Sequence, residues 1–428
     1  MNVLILGSGG REHALAWKIS RSPRLSRLYI APGNAGTTVD GQNVELDASD
    51  FAGVKDFCLE KEIAMVVVGP EAPLVAGIHD FFLNDPGISH IAVIGPTRQA
   101  AMLEGSKDFA KNFMKKYNIP TADFQTFTKD DLDDALDYLR SLEAPFVLKA
   151  DGLAAGKGVL IHDSLESAEL ALKAMLVDRK FGEASSKVVI EQHLKGVEVS
   201  VFILTDGNSW LLLPPAKDYK RIGDGDTGPN TGGMGSISAV PFADEAFMTK
   251  VEASIIRPTM EGLISEGIEY RGFLFFGLMN VEGNPYVIEY NVRMGDPEAE
   301  SIIPRIRTDL LELLDGVANG NLDTKSLEVD ERFNAAVFLV SGGYPGSYDK
   351  GKPIKGINKA ENCLLFHAGT AVDPINNNVV TNGGRVLAIS SFGKTIREAL
   401  DNCYHNAGRI HFDGKYFRSD LGEDIMSH

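Results

Sequence analysis

Short apolar segments, each ending in a turn of glycine, proline, asparagine or glutamate, recur through the N-terminal part of the chain. They comprise residues 3–6, 28–30, 65–68 and 91–94, with helical patterns at 11–19 and 54–61 between them. Short apolar strands that alternate with helices form parallel sheets covered by helices on both faces. We therefore expect an α/β fold that begins with a doubly wound parallel sheet, whose ligands gather where the strands end.

The first turn, Gly7 to Glu12, resembles the start of a dinucleotide-binding motif but departs from it. The motif needs a small residue where Glu12 stands. The second strand also lacks the acidic residue that would bind a ribose diol after it. A phosphate bound by backbone amides at the helix start, with Arg11 beside it, fits this turn better than a nicotinamide dinucleotide.

A predicted strand in the last third of the chain carries polar side chains at every second position. Alternation groups Glu289, Asn291 and Arg293 on one face, opposite Ile288 and Tyr290. A carboxylate and an amide oxygen are ligands that Mg²⁺ accepts, with nucleotide phosphates completing its shell. Arg293 could clamp phosphate oxygens with two hydrogen bonds. A half-buried strand with a polar outer face would show the same alternation.

Lysines and glycines mark the central part of the chain. Lys107 begins a predicted helix, where the macrodipole disfavours a cation unless it faces a phosphate. Lys149 ends a predicted strand, and the glycine-rich loop 151–158, which contains Lys157, follows it. The loop lacks the Lys-Ser/Thr pair of a Walker A motif, so we interpret it as a flap over phosphates.

Two other glycine-rich segments carry structural predictions. Residues 224–236 are so rich in glycine that we expect a long functional loop rather than packed structure. Asn382-Gly383-Gly384 predicts a hairpin between two strands of a small C-terminal α/β unit.

Charge and cysteine content exclude several classes of protein. The net charge of −17 at pH 7 argues against a nucleic-acid partner, which needs a basic surface. We expect no membrane span and no signal peptide, because no apolar run is long enough and the first residues are a short strand. Cys58, Cys363 and Cys403 are widely spaced, without a disulfide or zinc pattern, so we expect the reducing cytoplasm.

Motifs in order along the whole chain resemble those of the phosphoribosylamine–glycine ligases, a family of the ATP-grasp superfamily. They are Gly-Ser-Gly-Gly-Arg-Glu-His-Ala at 7–14, Pro-Gly-Asn-Ala-Gly at 32–36, Gly-Pro-Glu-Ala-Pro-Leu at 69–74, Lys-Ala-Asp-Gly-Leu-Ala-Ala-Gly-Lys-Gly-Val at 149–159, Asn-Thr-Gly-Gly-Met-Gly at 230–235 and Arg-x-Gly-Asp-Pro-Glu at 293–298. Two positions depart from the family pattern. Tyr219 stands where a histidine is usual, and Ser236-Ile237-Ser238-Ala239 replaces Ala-Tyr-x-Pro.

The resemblance implies a fold and a reaction. We expect a Rossmann-like domain at 1–103, a two-lobed ATP-grasp domain at 104–328 whose smaller lobe spans about 123–195, and a small α/β domain at 329–428. The family joins glycine to 5-phosphoribosylamine through a glycyl phosphate, giving glycinamide ribonucleotide, ADP and phosphate in purine biosynthesis. It implies Mg²⁺ or Mn²⁺ as the metal, ATP as co-substrate, small-molecule partners and a monomer.

The motifs also carry residue roles onto this chain. ATP would be bound by Lys107, Lys149, Lys157, Glu191, Leu194 and Glu198, and the metal by Glu289 and Asn291. The other substrates would contact Gly9, Gly10, Arg11, Glu12, Asn34, Glu71, Asp218, Lys220, Arg221, Arg293, Asp296 and Glu298. Catalysis would involve Arg293, Asp296 and Lys149.

Three other functions stay open at this point. Another ATP-grasp carboxylate–amine ligase or carboxylase would share the metal and phosphate residues and differ in the turns at 7–12 and 69–71. A non-catalytic ATP sensor would not have to keep Glu289, Asn291 and Arg293 together. A nicotinamide oxidoreductase is disfavoured by Glu12.

Overall fold

The computed structural model describes residues 1–154 and 158–426 of the chain. Lys157, a predicted ATP ligand, and part of the predicted flap lie outside these residues. Within the described residues no helix is long and apolar enough to cross a membrane.

The N-terminal part folds as the predicted doubly wound sheet. Its strands are β1 (Asn2–Gly7), β2 (Arg27–Pro32), β3 (Gln42–Asn43), β4 (Ile63–Val68) and β5 (Ala92–Ile94), and its helices are α1 (Gly10–Ile19), α2 (Phe51–Glu60), α3 (Glu71–Ala76), α4 (Ile78–Asn84) and α5 (Arg98–Gly105). The strands are parallel in the order β3-β2-β1-β4-β5. Val3 and Ile5 pack into one core and Leu4 and Leu6 into another. Both faces are therefore covered, which is why residues 3–6 of β1 are all apolar.

A small antiparallel lobe follows, with a core of its own. Helix α6 (Lys107–Lys116) leads into β6 (Phe124–Thr128), α7 (Leu132–Ser141), β7 (Phe146–Ala150), β8 (Val159–His162), α8 (Leu165–Leu176) and β9 (Lys187–Glu191). The strands lie in the order β6-β9-β7-β8. Lys149 and Glu191 thus stand near the ends of neighbouring antiparallel strands.

The larger lobe is built on a second antiparallel sheet. Its strands are β10 (Val197–Thr205), β11 (Trp210–Leu212), β16 (Gly272–Val281) and β17 (Asn284–Asn291), in the order β11-β10-β16-β17. Helices α9 (Glu245–Val251) and α10 (Arg257–Ser265) precede β16, joined by a π-helical turn at Glu252–Ile256, and α11 (Ala299–Ile302) and α12 (Leu310–Asn319) follow β17.

The last sheet joins the C-terminal strands to strands from the middle of the chain. Its members are β12 (Lys217–Asp218), β15 (Gly235–Ser238), β18 (Phe333–Val340), β19 (Leu364–His367) and β22 (Arg385–Gly393), in the order β12-β15-β18-β22-β19. Helices α13 (Ile396–Arg409) and α14 (Glu423–Met426) complete this region, with two-stranded sheets formed by β13 (Arg221–Gly223) with β14 (Thr227–Asn230) and by β20 (Thr370–Val372) with β21 (Val379–Thr381).

Two sequence predictions about glycine-rich segments were wrong. Residues 224–236 are not a loop throughout, because they contain β14 and the start of β15, and β15 is buried. Asn382-Gly383-Gly384 does not close a hairpin, since β21 pairs with β20 while β22 pairs with β18 and β19. β14 pairs with the neighbouring β13, but β15 pairs with β12 and β18, and β22 pairs with β18 and β19, so local composition could not identify most of these partners.

Candidate active site

A cleft of about 610 Å³ lies between the small lobe and the larger lobe. It is lined by most of the residues that the sequence motifs selected: Arg11, Glu71, Lys107, Lys149, Glu191, Leu194, Glu198, Asp218, Lys220, Glu289, Asn291, Arg293, Asp296 and Glu298. Apolar side chains, among them Leu153, Val159 and Ile161 of the small lobe, line the same cleft. A cleft with one apolar side and many charged groups suits a nucleotide, whose base is flat and whose phosphates are anionic.

Strand β17 delivers its polar side chains to the cleft through a β-bulge. Its pairing with β16 shifts between Gly277, which faces Glu289, and Leu278, which faces Val287. Ile288 is therefore an extra residue, and it lines the cleft together with Glu289. The prediction that Ile288 lies on the opposite face was wrong, because a bulge breaks the two-residue alternation. The Ile288 carbonyl accepts a hydrogen bond from Lys149 Nζ at 3.2 Å.

Glu289 and Asn291 offer the oxygen donors of a divalent-cation site. Burial raises the pKa of Glu289, but Lys220, Lys149 and Lys107 outweigh it and hold the pKa below its usual value. The carboxylate is therefore ionised and can act as a ligand. Asn291 is buried, its Oδ1 accepts from Arg293 at 3.1 Å, and its Nδ2 meets no acceptor. Among the described residues no group of three or more His, Cys, Asp and Glu could hold a metal, so this pair would share the ion with phosphate oxygens.

Two lysines converge on Glu191 at the inner end of the cleft. Lys149 Nζ lies 2.9 Å from Oε2 of Glu191, and Lys111 Nζ lies 3.3 Å from Oε1. Burial lowers the pKa of Lys111 to about 8, although Glu191 opposes this change. Lys111 was not among the predicted residues. It lies one helical turn after Lys107, and spacing alone could have placed it on the same face of α6.

A second cluster of charges lies where β10 and β12 meet the cleft. Lys220 Nζ lies 2.8 Å from Oε2 of Glu198 and 3.9 Å from Oδ2 of Asp218. Burial raises the pKa of Glu298 to about 7, helped by repulsion from Asp218, while the hydroxyl of Ser200 donates to Glu298 at 2.9 Å. The cluster therefore combines a cation with carboxyls of differing proton affinity.

Arg293 is held by a carboxylate that the sequence did not reveal. Its Nη2 donates to Oε1 of Glu104 at 2.7 Å, while Oε2 of Glu104 accepts from the amide of Val292 at 2.8 Å. Glu71 lies 3.5 Å from Nε of Arg293. Glu104 lies in the last turn of α5 and is far from Arg293 in sequence, so no local pattern indicates the pair.

A second pocket, of about 750 Å³, opens at the carboxyl end of the N-terminal sheet. It is lined by Gly7, Ser8, Gly9, Arg11, Glu12, Pro32, Glu45, Leu46, Asp47, Ala48, Pro70 and Asp296. Arg11, Pro70 and Asp296 line both pockets. Glu12 accepts from the Gly9 amide and from Arg11 Nε, each at 2.6 Å, so the chain's own carboxylate bonds to the helix start. An anion at this turn would compete with Glu12.

Three predicted substrate residues line neither the cleft nor the second pocket. Asn34 donates to the carbonyls of Ser8 and His367, which ties the second turn to the C-terminal region. Arg221 lies in β13 and donates to the Gly228 carbonyl. Gly10 begins α1, where its lack of a side chain leaves room for Glu300.

Comparison with known proteins identifies related sequences over the full length. Models of the phosphoribosylglycinamide synthetase N domain, ATP-grasp (A) domain and C domain match residues 1–104, 105–299 and 334–424. The chain is 45% identical to the phosphoribosylamine–glycine ligase of Yersinia pestis, covering 99% of this chain and 98% of that protein. It is also 45% identical to the phosphoribosylamine–glycine ligase of Vibrio cholerae, and the match covers 99% of this chain and 98% of that protein.

Solved structures agree with these sequence matches. The crystal structure of phosphoribosylamine–glycine ligase from Thermotoga maritima has a TM-score of 0.85 and 38% identity, covering 98% of this chain and 100% of that chain. N5-carboxyaminoimidazole ribonucleotide synthetase from Thermus thermophilus has a TM-score of 0.65 and 19% identity, covering 95% of this chain and 98% of that chain. The similarity to the Thermus thermophilus structure concerns the fold alone.

Proposed function

The chain belongs to the phosphoribosylglycinamide synthetase family, and from this we propose that it is an ATP-dependent ligase joining glycine to 5-phosphoribosylamine. The products are glycinamide ribonucleotide, ADP and phosphate, in de novo purine biosynthesis. One observation carries the proposal: the cleft that suits a nucleotide and the pocket at the N-terminal sheet share Arg11, Pro70 and Asp296 in their linings. A ligase that activates one substrate and delivers it to another needs such a junction.

The reaction requires no nucleophile from the protein. The glycine carboxylate attacks the γ-phosphorus of ATP, ADP leaves, and a glycyl phosphate forms. The amine then attacks the acyl carbon, the carbon–nitrogen bond forms and phosphate leaves. Both steps depend on alignment and on neutralising charge, as phosphoryl transfer does generally. Glycyl phosphate is sensitive to water, so a cleft between two lobes also protects it.

We assign the cations of the cleft to the phosphates. Lys107 and Lys149 face the ionised Glu289 from the small-lobe side and would neutralise the polyphosphate. Arg293, anchored by Glu104, would stabilise the transferring phosphoryl group. Lys157 belongs to this proposal through its motif.

The nucleoside would occupy the inner end of the cleft. Oε1 of Glu191 is buried and accepts no hydrogen bond, although Lys111 Nζ lies 3.3 Å away, so it can accept from the exocyclic amine of adenine. Leu194 would present its backbone to the ring, and Glu198 would bind the ribose hydroxyls, in exchange for Lys220. Such a site rejects a base that lacks the amine, because a buried acceptor would stay unpaired.

A divalent metal fits the donor set of Glu289 and Asn291, and we propose Mg²⁺ or Mn²⁺. When bound, the ion would neutralise phosphate charge during transfer. Glu289 supplies the ionised carboxylate, while Arg293 fixes the Asn291 amide. We also propose that the protein acts as a monomer in the cytoplasm, which agrees with its free cysteines.

The remaining assignments concern the acceptor. The turns at Gly9 to Glu12 and at Glu71 would bind the ribose phosphate of 5-phosphoribosylamine through Arg11 and backbone amides. Glycine would lie near Asp218, Lys220 and Glu298, which line the cleft on the larger-lobe side. Gly10 would contact the substrate through its backbone, and Asn34 would act by holding the Ser8 carbonyl of the first turn. Arg221, in β13, is proposed from the motif resemblance.

The test is a reaction with each substrate omitted in turn. The purified protein is incubated with ATP, Mg²⁺, glycine and fresh 5-phosphoribosylamine, and ADP and product mass are measured. We expect ADP release that needs both glycine and the amine, with glycinamide ribonucleotide in the mass spectrum. ADP release that does not depend on glycine and the amine would point to another ATP-grasp substrate. No ADP release under any condition would refute the proposed ligase activity.

A further inference from the structure

Glu300 is a buried carboxyl that the reaction scheme does not use. It lies in α11, two residues after the Arg-x-Gly-Asp-Pro-Glu motif, and is 0% exposed. Both of its oxygens, and Oδ1 of Asp296, meet no hydrogen-bond donor among the described groups. Buried acceptors without donors are costly, so the cluster needs an explanation.

The two carboxyls flank successive glycines at the start of α1. A β-carbon added to Gly10 would overlap Oε1 of Glu300 and lie 3.3 Å from the Phe338 ring. One added to Gly9 would lie 3.2 Å from Oδ2 of Asp296. Glu300 is therefore enclosed by backbone and an aromatic ring, while Oδ2 of Asp296 faces the pocket wall formed by Gly9.

Two cations, Arg385 and Arg11, attract this pair of carboxyls, and only Arg385 is attracted by both of them among the described residues. Arg385 Nη1 lies 2.9 Å from Oδ1 of Asp296 but is not aligned for a hydrogen bond with that oxygen, and it donates to the carbonyls of Asp296 and Gly232 at 3.0 Å and 2.6 Å. Burial, and then repulsion from Asp296, raises the pKa of Glu300 well above its usual value.

Charged groups on the neighbouring elements are engaged elsewhere. On α1, Arg11 and Glu12 pair with each other at 2.6 Å, although Arg11 also attracts Asp296 electrostatically. Glu298 accepts from Ser200, and Arg305, in the turn after α11, donates to the Asp330 carbonyl. A proton on Glu300 would convert one orphaned acceptor into a donor and leave a single negative charge beside Arg385.

We propose that Glu300 is a neutral carboxylic acid that donates its proton in a hydrogen bond to Oδ1 of Asp296, and that this bond positions Oδ2 of Asp296 to accept an N–H of 5-phosphoribosylamine. Asp296 lies at the junction of the two pockets, where the amine must meet the glycyl phosphate. An N–H held by Oδ2 turns the nitrogen lone pair toward the acyl carbon. Glu300 is then a positioning residue. This inference rests on the proposed function.

The first test is thermal unfolding of Glu300→Gln between pH 6 and pH 9, with Glu328→Gln as a control at an exposed position. A carboxyl that is neutral when folded and ionised when unfolded makes stability fall as pH rises. Glutamine keeps the shape and a donor but cannot ionise. We expect the Tm of Glu300→Gln to rise relative to the wild type as pH increases, with no such trend for Glu328→Gln. A difference that is constant with pH would overturn the neutral acid. This test uses no substrate, so it stands even if the proposed function fails.

The second test measures the KM for 5-phosphoribosylamine. Glu300→Gln should match the wild type at pH 7, whereas Glu300→Met, which has no donor, should raise this KM about ten-fold and leave the KM for ATP unchanged. At alkaline pH the wild-type KM should rise while that of Glu300→Gln stays constant. This comparison tests the positioning role of Glu300 even if Glu300→Met does not fold. Equal KM values in all three proteins, or equal pH profiles in the wild type and Glu300→Gln, would overturn the positioning role.

Discussion

Replacing Lys111 by methionine should stabilise the protein and weaken its binding of ATP. Lys111 is 2% exposed, and its Nζ donates to the Thr121 hydroxyl at 2.7 Å besides facing Glu191. Burial lowers its pKa from 10.5 to about 8. At about 1.4 kcal/mol per pKa unit, this difference corresponds to about 3 kcal/mol of lost stability while the ammonium is charged.

The sign and the pH window follow from linkage. Below pH 8 the folded and unfolded forms both keep the proton, so the penalty is complete. Between pH 8 and 10.5 the folded protein releases the proton before the unfolded chain does, so the penalty shrinks as pH rises. The gain from Lys111→Met should therefore be about 3 kcal/mol at pH 7 and about half of that at pH 9.5.

Urea unfolding at the two pH values measures this gain, and calorimetry measures ATP binding. Lys116→Met is a matched control on the same helix, since its side chain is 61% exposed and pairs with Glu266, and it should change stability by less than about 1 kcal/mol. Lys111→Met leaves Glu191 with Lys149 alone, so the Kd for ATP should rise about five-fold. A loss of stability at pH 7, or an equal change at both pH values, would refute the reasoning.

Three further substitutions test the cleft. Glu289→Ala should lower turnover by about 100-fold or more and abolish Mn²⁺ binding in an EPR titration. Its circular dichroism spectrum should stay native. Turnover equal to that of the wild type would show that Glu289 is not a metal ligand. Arg293→Lys should reduce kcat by about ten-fold or more, because an ammonium cannot make two parallel hydrogen bonds, and an unchanged kcat and KM would make Arg293 structural. Glu104→Gln should reduce kcat by about ten-fold, because a neutral amide holds the Arg293 guanidinium less firmly than a carboxylate does; an unchanged kcat would show that the charge of Glu104 does not anchor Arg293.

Local sequence patterns predicted the parts of the fold that short segments determine. The apolar run Val3-Leu4-Ile5-Leu6 predicted a strand buried on both faces, and the structure confirms it. The three-part α/β architecture came from the motif resemblance and is confirmed by the matched structure. The domain boundaries remain predictions, and β12 and β15, which lie within the predicted ATP-grasp range, pair into the C-terminal sheet.

The sequence could predict only those parts of the site whose residues lie close together in the chain. Glu289 and Asn291 are two residues apart, so strand alternation brought them together. The bulge at Ile288 depends on how β16 pairs with β17, and no pattern within β17 indicates it. Glu104 and Lys111 reach the site through the packing of α5 and α6 against the larger lobe, and Glu300 through two glycines in the first turn. Such contacts depend on tertiary structure.

The chain as a whole is acidic, but its cleft is rich in cations. The net charge is −17, yet Lys107, Lys149, Lys220 and Arg293 all line the cleft. Several of these cations already face an internal carboxylate, as Lys149 faces Glu191 and Lys220 faces Glu198. Internal pairing keeps buried like charges from repelling one another. In the proposed function, a polyphosphate would bind by competing with the chain's own carboxylates, and it could do so because its charge is greater and it would bring a metal ion with it.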